Sequence, residues 1–436
     1  MKNNFKKILT FILILEARLI LWKYKPRIVA VTGSVGKTST KDAVYAVLSK
    51  FYFVRKSEKS YNSEIGLPLT ILGVSNGWSH LFIWIKNIFS GLWIFIWPHK
   101  YPKWLVLEVG VGHPGDMKRT ASWLKTDVVI ITNITNPPAH IEFFNSAEEV
   151  VKEKAGLIKT LKKDGILILN ADDEIVLNMR GNSKNRFFTY GFNKNANVIA
   201  SEDQISYSNS SAENIKPNGV SFRVDIEGKS LPVNLEGVFG RNHIYSALAG
   251  LAVCFSQKLN LFTALEALRI YEFPLGRMSL LPGVNDTWII DDTYNASPFA
   301  MKSAINTLGE LKNFNRKIAV LGDMLELGKH TEEAHFSIGN ILKENNIDVV
   351  CVVGPRAKNI KKGAIEAGIK EDNIYEFNTS FEAGDFLKTF VKKGDIVLIK
   401  GSQGMRMERA VEAILLNIAN KKNLLVRQDE DWVNKN

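Results

Sequence analysis

The segment Gly33-Ser34-Val35-Gly36-Lys37-Thr38 has the residue types and spacing of a phosphate-binding loop. In such a loop, backbone N–H groups converge on phosphate oxygens at the start of a helix, where the helix dipole favours an anion. Lys37 can then reach the β and γ phosphates of a nucleotide, and the Thr38 hydroxyl can hold magnesium. The commonest form of the motif has a further glycine five residues before Gly36, and this chain has Val31 there. Taken alone, the segment identifies phosphate binding and leaves the reaction open.

That chemistry needs a strand ending at the loop and a helix leaving it. Arg27 to Thr32 reads as a short buried strand and Lys41 to Leu48 as the following helix. Trp104 to Glu108, Val128 to Thr132 and Ile166 to Leu169 are further short apolar runs, each near a helical or turn segment. The alternation predicts a mainly parallel sheet with crossover helices. Residues 196 to 236 are rich in Ser, Asn and Glu, with alternating pieces such as Val220-Ser221-Phe222-Arg223-Val224, and predict antiparallel strands appended to that sheet. Trp288 to Ile290, Lys317 to Leu321, Asp348 to Val353 and Asp395 to Ile399 then predict a second doubly wound unit. The expected fold is α/β: a P-loop central ATPase domain with a parallel sheet, and a C-terminal Rossmann-like doubly wound domain. With the boundary near Phe273 to Gly276, the parts are an N-terminal segment 1–26, a central domain 27–275 and a C-terminal domain 276–436.

A length of 436 residues is enough for two or three domains. With 45% apolar and 23% charged residues the chain can build a core, which excludes a largely disordered protein. The net charge of +11 would suit nucleic acid, an anionic membrane or a polyanionic substrate. No Arg-rich or Lys-rich block or RNA-binding aromatic signature is present, so nucleic acid is not expected as a partner. Cys254 and Cys351 lie far apart without metal-type spacing and read as reduced core residues of a cytoplasmic protein.

Two apolar segments stand outside this scheme. Ile8 to Leu15 and Leu19 to Trp22 are separated by Glu16 and Arg18 and flanked by Lys6, Lys7, Lys23 and Lys25. This is too short and too charged for a secure span, and no small-residue cleavage site follows. Either a helix in the cytoplasmic membrane interface or a helix packed on the protein's own surface fits. The stretch 78–104 holds Trp78, Trp84, Trp93, Trp97 and Trp104, and from Leu81 to Trp97 its only charge is Lys86. Tryptophan favours the boundary of lipid and water, so this insertion reads as a membrane-dipping hairpin or amphipathic helix, against packing on the core or on another subunit.

The form Thr32-Gly33-Ser34-Val35-Gly36-Lys37-Thr38-Ser39-Thr40 resembles the phosphate loop of the Mur ligases. The likeness runs over roughly residues 27 to 415 and is strongest to the branch that adds D-alanyl-D-alanine to a UDP-N-acetylmuramoyl tripeptide. Tyr61-Asn62-Ser63-Glu64-Ile65-Gly66-Leu67-Pro68-Leu69-Thr70 and Glu108-Val109-Gly110-Val111-Gly112-His113-Pro114-Gly115-Asp116 are similar to two of its central-domain segments. Asp291-Asp292-Thr293-Tyr294-Asn295-Ala296-Ser297-Pro298 and Gly322-Asp323-Met324-Leu325-Glu326-Leu327-Gly328 are similar to its C-terminal signatures.

The resemblance implies a ligase that phosphorylates a substrate carboxylate with ATP and lets an amine displace the phosphate, in peptidoglycan precursor synthesis. It implies nucleotide contacts from Gly33, Ser34, Val35, Gly36, Lys37, Thr38, Ser39, Asn242, His243, Arg277 and Asp292. It implies catalytic roles for Lys37, His140 and Lys154, and two magnesium ions held through Thr38, Glu108, His140 and Lys154. Lys154 falls where many Mur ligases carry a carbamylated lysine; the carbamate turns a group that repels magnesium into an anionic ligand. Without the resemblance, His140 reads as a turn residue in a Pro-Pro loop and Lys154 as a solvated helix residue. Asp323, Glu326 and His335 read as residues that orient a loop, and Lys400-Gly401-Ser402 is left without a catalytic step.

Two departures qualify the likeness. Gly240-Arg241-Asn242-His243-Ile244-Tyr245-Ser246-Ala247 exchanges the order of His and Asn in the family's adenine-end segment and replaces its second Asn by Ser246. Only 26 residues precede the first strand, so the family's UDP-holding N-terminal domain is expected to be lacking and the apolar segments are expected to hold the enzyme at the inner face of the membrane. Two other functions remain open: the same ligation on a folate-like or other peptide substrate, and a membrane-associated nucleotide-binding module without ligation.

Overall fold

The computed structural model describes residues 2–58, 61–78, 80–135, 138, 141–209, 215–429 and 432. Strand β1 (Arg27–Thr32) is buried from Ile28 onward. Successive strand side chains point to opposite faces, so a fully buried run must be covered on both sides. Val29 and Val31 join one apolar core, and Ile28 and Ala30 join another.

Around β1 a nine-stranded sheet is ordered β2-β3-β1-β4-β5-β6-β7-β8-β9. Its other strands are β2 (Val54–Lys56), β3 (Trp104–Glu108), β4 (Thr126–Ile131), β5 (Leu161–Asn170), β6 (Arg186–Gly191), β7 (Val198–Asn209), β8 (Ile215–Ile226) and β9 (Lys229–Glu236). Pairing is parallel from β2 to β7 and antiparallel from β7 to β9. The antiparallel extension expected within 196–236 is therefore present.

Helix α1 (Lys2–Tyr24) precedes β1, and α2 (Lys37–Ser49) follows the loop, four residues earlier than its apolar periodicity suggested. The first turn of α2, Lys37 to Thr40, carries loop chemistry rather than core residues. α3 (Gly66–Leu72) and α4 (Leu81–Ile96) lie between β2 and β3, and α5 (Asp116–Ala121) and α6 (Ala147–Ala155) come next. α2 packs with the helix Arg241–Ser256 on one side of the sheet, and α1 and α3 contribute to the core on the other. Within the Trp-rich stretch the apolar run forms a single helix, α4, which holds Trp84 and Trp93, while Trp104 belongs to β3. Among the described residues no helix is long and apolar enough to cross a membrane.

The second sheet is ordered β10-β11-β15-β12-β13-β14. It comprises β10 (Ser279–Gly283), β11 (Thr287–Asp292), β12 (Arg316–Gly322), β13 (Val349–Val353), β14 (Ile374–Phe377) and β15 (Asp395–Lys400). All neighbours are parallel except β10 and β11. The sheets are linked by a Val238–Ser279 bridge and by Leu280 N–H donating to Gly237 O at 3.0 Å. This short link brings Arg277 and the end of β11 toward the phosphate loop.

Candidate active site

The loop between β1 and α2 is held from the neighbouring strand. Ser34 N–H donates to Asn133 O at 2.6 Å, and the Thr132 hydroxyl donates to Val35 O at 2.7 Å. Gly33 has φ +149°, and a Cβ there would sit 2.0 Å from the Thr132 hydroxyl oxygen. Gly36 caps α2 at φ +82°, in the left-handed region that suits glycine. Ser39 is buried in the first turn.

Lys37 Nζ donates to Gly33 O at 3.0 Å and Ser34 O at 3.2 Å. The Thr38 hydroxyl donates to Glu108 Oε2 at 2.9 Å, and Asn62 Nδ2 donates to Glu108 Oε1 at 3.0 Å. Glu108 ends β3, is 1% exposed, and receives its position from the parallel register that sets it beside Val31. Asn62 belongs to a motif visible in the sequence, yet its task, fixing the Glu108 carboxylate, emerges only from the fold.

Lys154 is the clearest gain over the sequence. Helix α6 turns it inward, 1% exposed, and its Nζ donates to Gly33 O at 3.1 Å, the carbonyl that Lys37 also uses. Burial, and then the charge of Lys37, push the Lys154 ammonium down to about 7. Burial also lowers Lys37; Glu108 opposes this and Arg277 adds to it. His140 lies outside the described residues.

From the second domain, the Arg277 guanidinium lies 4.0 Å from the centre of the Tyr294 ring. Asp292 Oδ2 accepts from Lys400 Nζ at 2.6 Å, and Lys400 also donates to Asn295 O at 2.9 Å. Burial raises Asp292 and lowers Lys400, each opposed by the other's charge. Lys400 therefore seats the Asp292 to Asn295 turn. Arg427, far along the chain, donates to Thr293 O at 3.1 Å, to Tyr294 O and to Glu408 at 2.9 Å. No sequence pattern pointed to it.

His243 is buried in the first turn of its helix. A carbonyl can only accept, so its Nε2–H donates to Arg277 O, at 2.8 Å. Burial pushes its imidazole down to about 4, partly opposed by that bond, so the ring is neutral and ties the two domains together. Asn242 is half-buried beside it and accepts the Ser246 hydroxyl on its carbonyl at 2.9 Å. In the second domain, Met324 N–H donates to His335 Nε2 at 2.9 Å and Ala357 N–H to Asp323 Oδ1 at 2.7 Å. These are loop-orienting contacts.

Lys37 thus lies within electrostatic reach of the basic groups of Lys154 and Arg277 and of the Glu108 carboxylate. Buried like charges are costly unless an anion joins them, and a nucleotide triphosphate supplies several negative oxygens. Thr38 and Glu108 present adjacent hard oxygens, a donor set that suits magnesium held by one carboxylate together with phosphate and water. Among the described residues no group of three His, Cys, Asp or Glu side chains stands ready to hold a metal. Any remaining oxygens would have to come from outside such a cluster.

Comparison with known proteins agrees with this geometry. The Mur ligase middle-domain family model matches residues 31–84 and 93–254, and the Mur ligase glutamate ligase domain model matches residues 276–403. The chain is 28% identical over 401 residues to the UDP-N-acetylmuramoyl-tripeptide–D-alanyl-D-alanine ligase of Bacillus subtilis, covering 92% of this chain and 78% of that one. It is 28% identical over 395 residues to the Escherichia coli ligase of the same name, covering 90% and 77%. Among solved structures it is similar to the MurF ligase of Thermotoga maritima in complex with ADP, at 26% identity and TM-score 0.74, covering 93% and 83%. MurF of Acinetobacter baumannii, at 22% identity and TM-score 0.74 over 91% and 78%, shares the fold.

Proposed function

Because the chain belongs to the Mur ligase family, we propose that it is an ATP-dependent peptide ligase of peptidoglycan precursor synthesis, joining D-alanyl-D-alanine to a UDP-N-acetylmuramoyl tripeptide. The observation that carries this reading is the meeting of Lys37 and Lys154 on Gly33 O in the loop that also presents the Thr38–Glu108 pair, with the Arg277 charge reaching Lys37 from the second domain. The names of the Bacillus subtilis and Escherichia coli relatives supply the substrates.

In this reading the phosphate loop and Lys37 hold the ATP phosphates, while Arg277 approaches from the second domain with Tyr294 behind it. The terminal carboxylate of the tripeptide attacks the γ-phosphorus, the bond to the β-phosphate oxygen breaks, and ADP leaves with an acyl phosphate formed. The D-alanyl-D-alanine amine then attacks the acyl carbon, losing a proton and expelling inorganic phosphate. Preorganised cations stabilise charge that passes between oxygens in both steps, where such groups contribute most. Thr38 and Glu108 would hold magnesium, which neutralises phosphate charge when bound. Lys154 would join them as its carbamate, and its lowered pKa makes the neutral amine, the form that reacts with carbon dioxide, accessible near neutral pH. His140, Asn242, His243 and Asp292 keep the nucleotide and metal roles implied by the family likeness. The domain division at residues 275 and 276 is part of the same proposal, as is cytoplasmic action with peripheral contact at the inner face of the membrane.

The deciding experiment supplies ATP, magnesium, candidate muramoyl peptides and D-alanyl-D-alanine, and follows phosphate release together with product mass. Phosphate release coupled to the expected peptide supports the proposal. Amine-dependent release without a muramoyl product moves the chain to a different acceptor. Nucleotide binding without turnover on any acceptor ends the ligase reading.

A further inference from the structure

Helices α1 and α4 lie side by side. Lys23 Nζ donates to Ile94 O at 3.2 Å, Phe95 O at 2.5 Å and Trp97 O at 3.0 Å, and the Tyr24 hydroxyl donates to Ile94 O at 2.9 Å. A cation at the carbonyl end of α4 satisfies its orphan acceptors and complements its dipole. Further up, Glu16 on α1 abuts Gly91 on α4; a Cβ at Gly91 would lie 2.4 Å from the Glu16 carboxylate. The pair therefore runs in one direction with matched ends.

α1 buries Leu9, Leu13, Ala17 and Ile20, one helical stripe, on the protein. Its opposite stripe, Phe11, Leu15 and Trp22 with Lys7 and Arg18, is exposed, and Lys25 just past its end is exposed too. α4 is more extreme: only Trp84, Asn87 and Gly91 are buried, and Phe82, Phe89, Trp93, Ile96 and Trp97 are exposed, Phe82 to 86%. At 150–250 Å² per aromatic side chain, the apolar area on the two helices is on the order of 1,000 Å², well beyond what monomers usually leave open. The middle-domain family model matches on either side of residues 85–92, a stretch inside α4, without including it.

The charge around this face selects its occupant. From Ile65 to Leu107 the sequence has no Asp or Glu, and before Asp42 it has only Glu16, which is buried. The exposed polar rim is thus cationic, with Lys6, Lys7, Arg18, Lys25, Lys86 and Lys100. A second copy of the same face would set cation against cation. A bilayer rich in anionic lipid gives the apolar side chains an acyl boundary, the tryptophans their preferred depth and the lysines a negative headgroup layer. With 16 residues, α4 is about 24 Å long, shorter than the hydrocarbon core of about 30 Å, so it lies in the plane rather than across it.

We propose that α1 and α4 together form an in-plane anchor that docks the enzyme on an anionic lipid bilayer. The proposal rests on the peripheral-membrane reading and names the surface and the lipid class. Neither helix contributes a hydrogen bond to the phosphate loop described above.

The test uses the full chain with sedimenting vesicles of phosphatidylcholine alone and of phosphatidylcholine containing a quarter phosphatidylglycerol. Wild type should bind the anionic vesicles at least about tenfold more strongly, with severalfold loss at high salt. The Phe89→Ser, Trp93→Ser double variant and the Lys6→Gln, Lys7→Gln, Lys86→Gln triple variant should each lose about tenfold or more while keeping nucleotide binding in solution, which certifies their fold. Vesicle binding by wild type that both variants retain would overturn this surface and leave the membrane reading standing. Wild type that ignores anionic vesicles would end both, as would a stable dimer in solution that the Ser variant dissociates.

Discussion

Replacing Glu16 by glutamine should tighten the seat of α1 at neutral pH. Glu16 is 4% exposed, and neither carboxylate oxygen has a hydrogen-bond partner among the described residues. α3 carries no charged side chain, and the only charge of α4 is Lys86, on its exposed face. Burial therefore pushes the carboxyl from its ordinary 4.5 up to about 7. The docked helix keeps its proton up to about 7, whereas a released helix loses it near 4.5. Docking is then unpenalised below 4.5, weakens as pH rises from 4.5 to 7, and stays weakened above. A shift of that size corresponds to at most about 3.4 kcal/mol, or up to roughly 300-fold in the opening of α1. Amide hydrogen exchange of α1 measures that opening. Compared at about pH 5 and about pH 8, the glutamine variant should gain protection over wild type chiefly at the higher value. A ratio of protection that is the same at both pH values would refute the reasoning, because the penalty would not be one of ionisation.

Three other outcomes follow from the site. Lys37→Ala and Lys154→Ala should each abolish amine-dependent phosphate release, and added short carboxylic acids should restore part of the Lys154→Ala activity; near-normal activity of either variant would remove its assigned role. Gly33→Ala should disrupt nucleotide binding because its Cβ meets the Thr132 hydroxyl, whereas Gly36→Ala faces open space and should cost about 1 to 2 kcal/mol of backbone strain, read by thermal unfolding and nucleotide titration. Arg427→Ala should destabilise the second domain by about 1.5 to 3 kcal/mol, the range of one charged hydrogen bond, because Glu408 keeps Arg406 as a partner, and should raise the KM for ATP by loosening the Tyr294 turn; calorimetry and a KM-against-kcat comparison separate the two effects.

Much of this protein was legible in its sequence because its elements announce themselves locally. The buried runs at β1, β3 and β15 have apolar lengths that suit only interior parallel strands, and the glycines at 33 and 36 mark a backbone turn. The short strands β2, β6 and β14 did not stand out, since their place comes from a neighbour's edge rather than from their own residues. Lys154 shows where local reading stops. In Ala147-Glu148-Glu149-Val150-Val151-Lys152-Glu153-Lys154-Ala155 it is one of several charges on a short helix, and nothing in the spacing distinguishes it from Lys152. Only the packing of α6 beside the phosphate loop buries it on a carbonyl 121 residues away and brings it under the charge of Lys37. Asn62 on Glu108 and Arg427 on Tyr294 are contacts of the same kind. The apolar, basic character of α1 and α4 was equally a property of the sequence; which stripe of each helix faces the protein was not. Periodicity specifies a face, but the partner of that face is chosen by three-dimensional packing, and that choice left the aromatic side chains of α4 outside.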